Sequence, residues 1–204
     1  TYHIVERDDG QGGILFVRGA THLTPNGSHQ STVKDYECPA QVATDYYGTV
    51  VGVLADGSEI YSDQVAHTIT LHPTKWWLKN PSNETINKTV AVDRSFKESA
   101  PLNVGIFDTA GSGDPIVISE FAFRAMKLAV SFWIKNATDL ANLRGLIFPG
   151  VTLLLQDVMN NQWYIIVTGD EEREFLVSTG SGTPRAEAYK LNLEFTVVKR
   201  PEVS

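Results

Sequence analysis

The sequence predicts a mainly β chain in two units: a small β-sandwich over residues 1–72, then a β-rich barrel or sandwich with one short helix over residues 88–204. A linker over 73–87 joins them. Three observations carry this. The chain is cut into short β-prone runs separated by turn residues, with one short stretch of helical period. Its last long run, YKLNLEFTVV (189–198), alternates cleanly: Leu191, Leu193, Phe195 and Val197 share one face against Asn192, Glu194 and Thr196. Charge also divides the chain. Residues 1–72 hold 3 basic and 9 acidic side chains, whereas residues 73–204 hold 14 and 15.

In the first unit, GILFVRG (13–19) is apolar and β-prone, and THLTPNGSHQS (21–31) is a turn-rich loop around Pro25-Asn26-Gly27. VKDYEC (33–38) alternates and reads as a strand. TDYYGTVVGVLA (44–55) is rich in Val and Tyr, and Asp56-Gly57 then signals a hairpin into EIYS (59–62). VAHTITL (65–71) follows. Several strands in about 70 residues imply a small sandwich. The linker HPTKWWLKNPSNET (72–85) brackets Trp76-Trp77-Leu78 with two prolines.

In the second unit, KTVAVDR (88–94), NVGIF (103–107), PIVIS (115–119) and KLAVSFWI (127–134) read as strands, with a Gly-rich loop at DTAGSGDP (108–115). NATDLANLRGLIFPG (136–150) reads as a helix capped by Thr138 and stopped by Pro149-Gly150, with Leu140, Leu143 and Ile147 on one stripe. VTLLLQ (151–156) and QWYIIVTG (162–169) flank a turn at Asn160-Asn161.

Composition excludes several classes. The hydrophobic fraction of 42% is enough for a real core. A net charge of −7 disfavours a grip on nucleic acid and electrostatic docking on an anionic membrane. One cysteine, Cys38, excludes an intrachain disulfide and a Cys-rich zinc site. The longest apolar run, LAVSFWI, is far short of the ~20 residues of a membrane helix. The first residues, TYHIVERDDGQGG, hold acids early and lack an apolar core, so no signal peptide is expected. The four Asn-x-Ser/Thr sequons, at Asn26, Asn83, Asn87 and Asn136, then read as chance matches.

No catalytic, cofactor or metal constellation rises above background, so the chain is expected not to be an enzyme. The five histidines, His3, His22, His29, His67 and His72, lack metal-site spacing. There is no G-x-S-x-G elbow, and Cys38 reads as a small core residue. GSGDP (111–115) precedes a β-run and lacks the Lys-Ser/Thr of a phosphate loop. Two features stand out as contacts. The acidic run Asp170, Glu171, Glu172, Arg173, Glu174 reads as a solvated hairpin tip, or as a subunit or lumenal contact. Trp76 and Trp77 are expected to pack between the units, because neighbours in an extended segment face opposite ways.

Several strings together resemble one family. VKDYECPAQVATDYYGTVVGVLADGSEIYSDQV (33–65) resembles fibronectin-III-like modules in minor tail proteins of long-tailed, siphovirus-type actinobacterial phages. WWLKNPSNETIN (76–87) resembles the W-L-K-[DN]-P segment that follows such modules, and GSGDPIVIS (111–119) their G-x-x-[DH]-P-V-V-V loop and strand. LRGLIFPGVTLLLQ (143–156), QWYIIVTG and LNLEFTVVKRP (191–201) are similar to the barrel of distal-tail and tail-tube proteins. Ser112 departs from the pattern, where a basic residue is expected, and no added receptor-binding domain is evident.

The resemblance implies an N-terminal Ig/fibronectin-III-like sandwich and a distal-tail-like β-barrel. It implies a structural virion protein of the tail tip or baseplate, assembled in the host cytoplasm. Its partners would be further copies of itself in a six-fold ring, the tail-tube protein, and the tip hub with other minor tail proteins. DNA would pass through the lumen without specific binding, and no membrane insertion or cofactor is implied. The other reading of the same residues is a carbohydrate- or cell-surface-binding accessory β-module.

Overall fold

A computed structural model describes residues 1–9, 12–93, 96–99, 103–107, 116–120, 126–178 and 185–201. The fold is mainly β, with one α-helix, a closed six-stranded barrel and a second sheet.

The second sheet belongs to the first unit. It contains β1 (Tyr2–Asp8), β2 (Ile14–Phe16), β3 (Ala43–Val53), β4 (Glu59–Tyr61) and β5 (Val65–Thr70), all antiparallel. β3 is long enough to take β1 along one edge and β5 then β4 along the other. The Asp56-Gly57 turn joins β3 to β4, and Gly57 sits at φ +85°, a left-handed conformation that glycine adopts at little cost.

The expected strand at 33–38 does not form. Asp35 turns the chain instead, its carboxylate accepting the backbone N–H of Glu37 at 2.8 Å. That side-chain bond offers the backbone an alternative to a ladder.

The barrel follows in chain order. Its strands are β6 (Trp76–Lys79), β7 (Lys88–Val92), β11 (Lys127–Ile134), β12 (Leu153–Gln156), β13 (Gln162–Val167) and β15 (Arg185–Val198). A 3₁₀ turn (Glu84–Ile86) precedes β7. β8 (Lys97–Ser99) pairs with β11, and β14 (Glu172–Ser178) pairs with β15. β9 (Asn103–Phe107) and β10 (Ile116–Glu120) pair with each other as a two-stranded sheet. The Gly-rich loop 108–115 lies outside the described residues. Residues 76–79, within the stretch read as the linker, thus form a barrel strand, pairing with β7 and β12.

Closure comes from β15. Residues 189–196 pair with β11 on one edge, and residues 195–198 pair with β13 on the other. The β11–β15 register sets Leu128 opposite Phe195, Val130 opposite Leu193, Phe132 opposite Leu191 and Ile134 opposite Tyr189. All eight point inward and are buried. Phe132 and Phe195 meet edge to face at 6.2 Å.

The helix α1 (Ala137–Ile147) adds Leu140, Leu143, Leu146 and Ile147 to this core. Its N-cap is Asn136 rather than Thr138. The Asn136 side chain accepts the N–H of Asp139 at 2.8 Å, which places the helix start two residues earlier than the sequence suggests.

Candidate functional site

The continuous apolar run of β12 explains itself by its two faces. Leu153 and Leu155 point into the barrel core. Leu154 and Gln156 point outward and are nevertheless fully buried. The ladder places Lys79, Leu154 and Tyr164 in one outward row, and Trp77, Gln156 and Gln162 in the next. The first unit covers this face with its 35–39 turn.

The contacts are dense and mostly charged or charge-assisted. Lys79 Nζ donates to the carbonyl of Tyr36 and to Gln156 Oε1, each at 2.6 Å. Gln156 Nε2 donates to the carbonyl of Cys38 at 2.7 Å, and Gln162 Nε2 to the same oxygen at 3.2 Å. Cys38 is itself buried.

At the centre is Glu37, 2% exposed. It accepts the hydroxyl of Tyr164 at 2.6 Å and Nη2 of Arg200 at 2.9 Å, both from the barrel. It also accepts Nη2 of Arg18 at 3.3 Å from its own unit. Arg18 and Arg200 each reach across in the other direction as well. Arg18 donates to the carbonyl of Pro201, and Arg200 to that of Phe16.

Inside the first unit the turn is braced from behind. Arg7 on β1 pairs with Asp35 at 2.9 Å and donates to the carbonyl of Glu37 at 3.0 Å. Tyr46 on β3 donates its hydroxyl to Asp35 at 2.9 Å.

Burial alone would raise the Glu37 carboxyl, but Arg200, Tyr164 and Arg18 outweigh it and hold its pKa below the ordinary carboxylate value. Burial pushes the Lys79 ammonium down to about 8, against the opposing pull of Asp35, Cys38 and Glu37. Burial and the carboxylate of Glu37 raise the Tyr164 phenol, so it stays protonated and donating. The arrangement is a clasp of charged and polar groups that sets the barrel against the first unit.

The residues singled out from sequence fall in two places. Trp76 turns inward, where it stacks on Trp163 at 6.2 Å and meets Phe96 at 5.5 Å. Trp77 lies on the outward face beside the clasp, with Lys79 Nζ 5.7 Å from its ring centroid. The acidic run spans the β13–β14 connection and the start of β14. Glu171 pairs with Arg144 of α1 and with Arg173 at 3.2 Å, while Asp170, Glu172 and Glu174 are exposed. Gly169 is needed there, because a Cβ would come within 2.8 Å of the Glu194 side chain. Among the described residues, no three His, Cys, Asp or Glu side chains are grouped to hold a metal, and no helix is long and apolar enough to cross a membrane.

No family model and no curated protein matches the chain. Among solved structures it is similar to a chain of the "Virion of native gene transfer agent (GTA) particle". The identity is 14%, the TM-score 0.36, and the match covers 61% of this chain and 96% of that one. At that overlap the likeness is distant.

Proposed function

We propose that the chain is a non-catalytic structural protein of a phage virion, working at the tail tip as a ring between the tail tube and the hub. The observation that carries this is the clasp at Glu37, which makes one bracket of a barrel and an outer sheet domain. A ring whose interface used both units would need such a fixed angle, because head-to-tail interfaces close only if each copy repeats the same rotation. The family strings quoted above supply the tail-tip placement; the distant virion likeness adds no weight to it.

Two further features fit a ring. β8 and β14 each pair on one edge only among the described residues, which leaves backbone donors and acceptors for a neighbour. The net charge of −7 would let DNA pass a lumen without being held. In this reading Asp170, Glu172 and Glu174 face a neighbouring subunit or the lumen.

The reading is tested by negative-stain imaging of virions labelled with an antibody against this chain. Label at the tail end distal to the capsid is the expected result. Intact, accessible virions without label would overturn it, and a glycan screen would then take up the surface-binding alternative.

A further inference from the structure

The first unit carries nine acids and only three basic residues: Arg18 and Lys34 at the junction, and Arg7 behind the turn that faces it. Arg7 is committed to Asp35. Arg18 and Lys34 line a cleft of about 380 Å³ between the units, with Tyr36 and Glu37 on the same wall and Pro81 and Ser82 opposite. Among the described residues, counting Lys79 and Arg200 from the barrel, five cations face two carboxylates, Asp35 and Glu37. Both carboxylates are already engaged: Asp35 by Arg7 and Tyr46, Glu37 by Arg18, Arg200 and Tyr164. Among the described residues, the half-buried junction of an acidic chain therefore holds more cations than carboxylates.

Arg18 spends Nη2 on Glu37 and Pro201, but its Nε is buried with no hydrogen-bond partner. Behind the barrel wall, Asn87 accepts the N–H of Asn80 at 2.8 Å and so anchors the turn that carries Pro81 and Ser82. Unsatisfied buried donors are costly and rare in native proteins. Lys34 is exposed and makes no ion pair among the described residues.

We infer that this cleft is an anion site, taking one small oxyanion between Arg18 and Lys34 of the first unit and Ser82 of the barrel. The chemistry is that of charge-assisted N–H···O bonds from a guanidinium and an ammonium. Glu37 does not bar the anion, because Arg200 and Arg18 offset its charge. A bound anion would touch both walls and tighten the junction. The inference is independent of the tail-tip reading.

The test follows the Arg18 Nε–H resonance of the full chain by NMR during titration with inorganic phosphate, against sodium chloride at matched ionic strength. An Arg18→Lys variant assigns the resonance. A saturable shift in phosphate is expected, together with a higher melting temperature than in chloride. Lys34→Gln, at an exposed position outside the clasp, should leave the melting temperature in chloride unchanged and weaken phosphate binding about tenfold. A parallel acetate titration separates sources: saturation by acetate in place of phosphate would assign the site to a carboxylate, such as a neighbouring copy's side chain. A resonance that moves identically in phosphate, acetate and chloride would overturn the inference. So would Lys34→Gln binding as tightly as the parent chain.

Discussion

Glu37→Gln should lower the stability of the chain by about 3 kcal/mol at neutral pH, because removing one partner of a buried ion cluster leaves the others uncompensated. The amide keeps the size of the carboxylate but not its charge. Arg200 and Arg18 then face a neutral group, and the Tyr164 hydroxyl loses a charged acceptor. The two guanidiniums keep some access to water, at 21% and 22% exposure, which holds the cost toward the lower end for such clusters. The effect has a definite pH dependence. Glu37 has a folded pKa below its unfolded value of about 4.3, so its contribution is fully present above that value. It is lost as the pH falls through the lower, folded pKa. Urea denaturation at pH 7 and in acid should therefore show a gap between parent and variant that is wider at pH 7. A gap of the same size at both values would mean that charge at Glu37 does not hold the junction.

Phe132→Ala should cost about 3–5 kcal/mol, the range for deleting a large aromatic side chain from a packed core. Phe132 is 1% exposed and packs edge to face on Phe195, at the centre of the β11–β15 seam that closes the barrel. Its neighbours come from strands on both sides and from α1, so the cavity cannot collapse without moving the seam. The adjacent Trp133 points outward at 43% exposure, under Lys190. Trp133→Ala should cost under about 1 kcal/mol. Chemical denaturation of both variants checks the pair. Equal losses would mean that the barrel interior is not the main source of stability.

The barrel was legible because its signals are local. KLAVSFWI and YKLNLEFTVV alternate with period two, and the structure pairs those two runs with their apolar sides together. The VKDYEC strand was misread for a physical reason. Its alternation is real, but Asp35 bonds the Glu37 N–H, and the carbonyls of Tyr36 and Cys38 find donors on the barrel instead of a neighbouring strand. Thr138 lost the capping role to Asn136, an equally good cap two residues earlier.

The clasp itself was not legible, since Glu37, Lys79, Gln156, Tyr164 and Arg200 are scattered through the chain and meet only after the barrel closes. One signal did point to it. The run LLLQ ends in a glutamine where a solvent-facing position would relieve an apolar strand, and no outward position of that strand is exposed. A strand apolar on both faces, closed by a buried amide, marks a face that something else must cover.

The central structural claim is that the two units move as one body, held by Glu37. Residual dipolar couplings measured separately for residues 1–72 and for the barrel test it most directly. One alignment tensor should describe both sets in the parent chain, and two should be needed in Glu37→Gln. Two distinct tensors in the parent chain would contradict the claim.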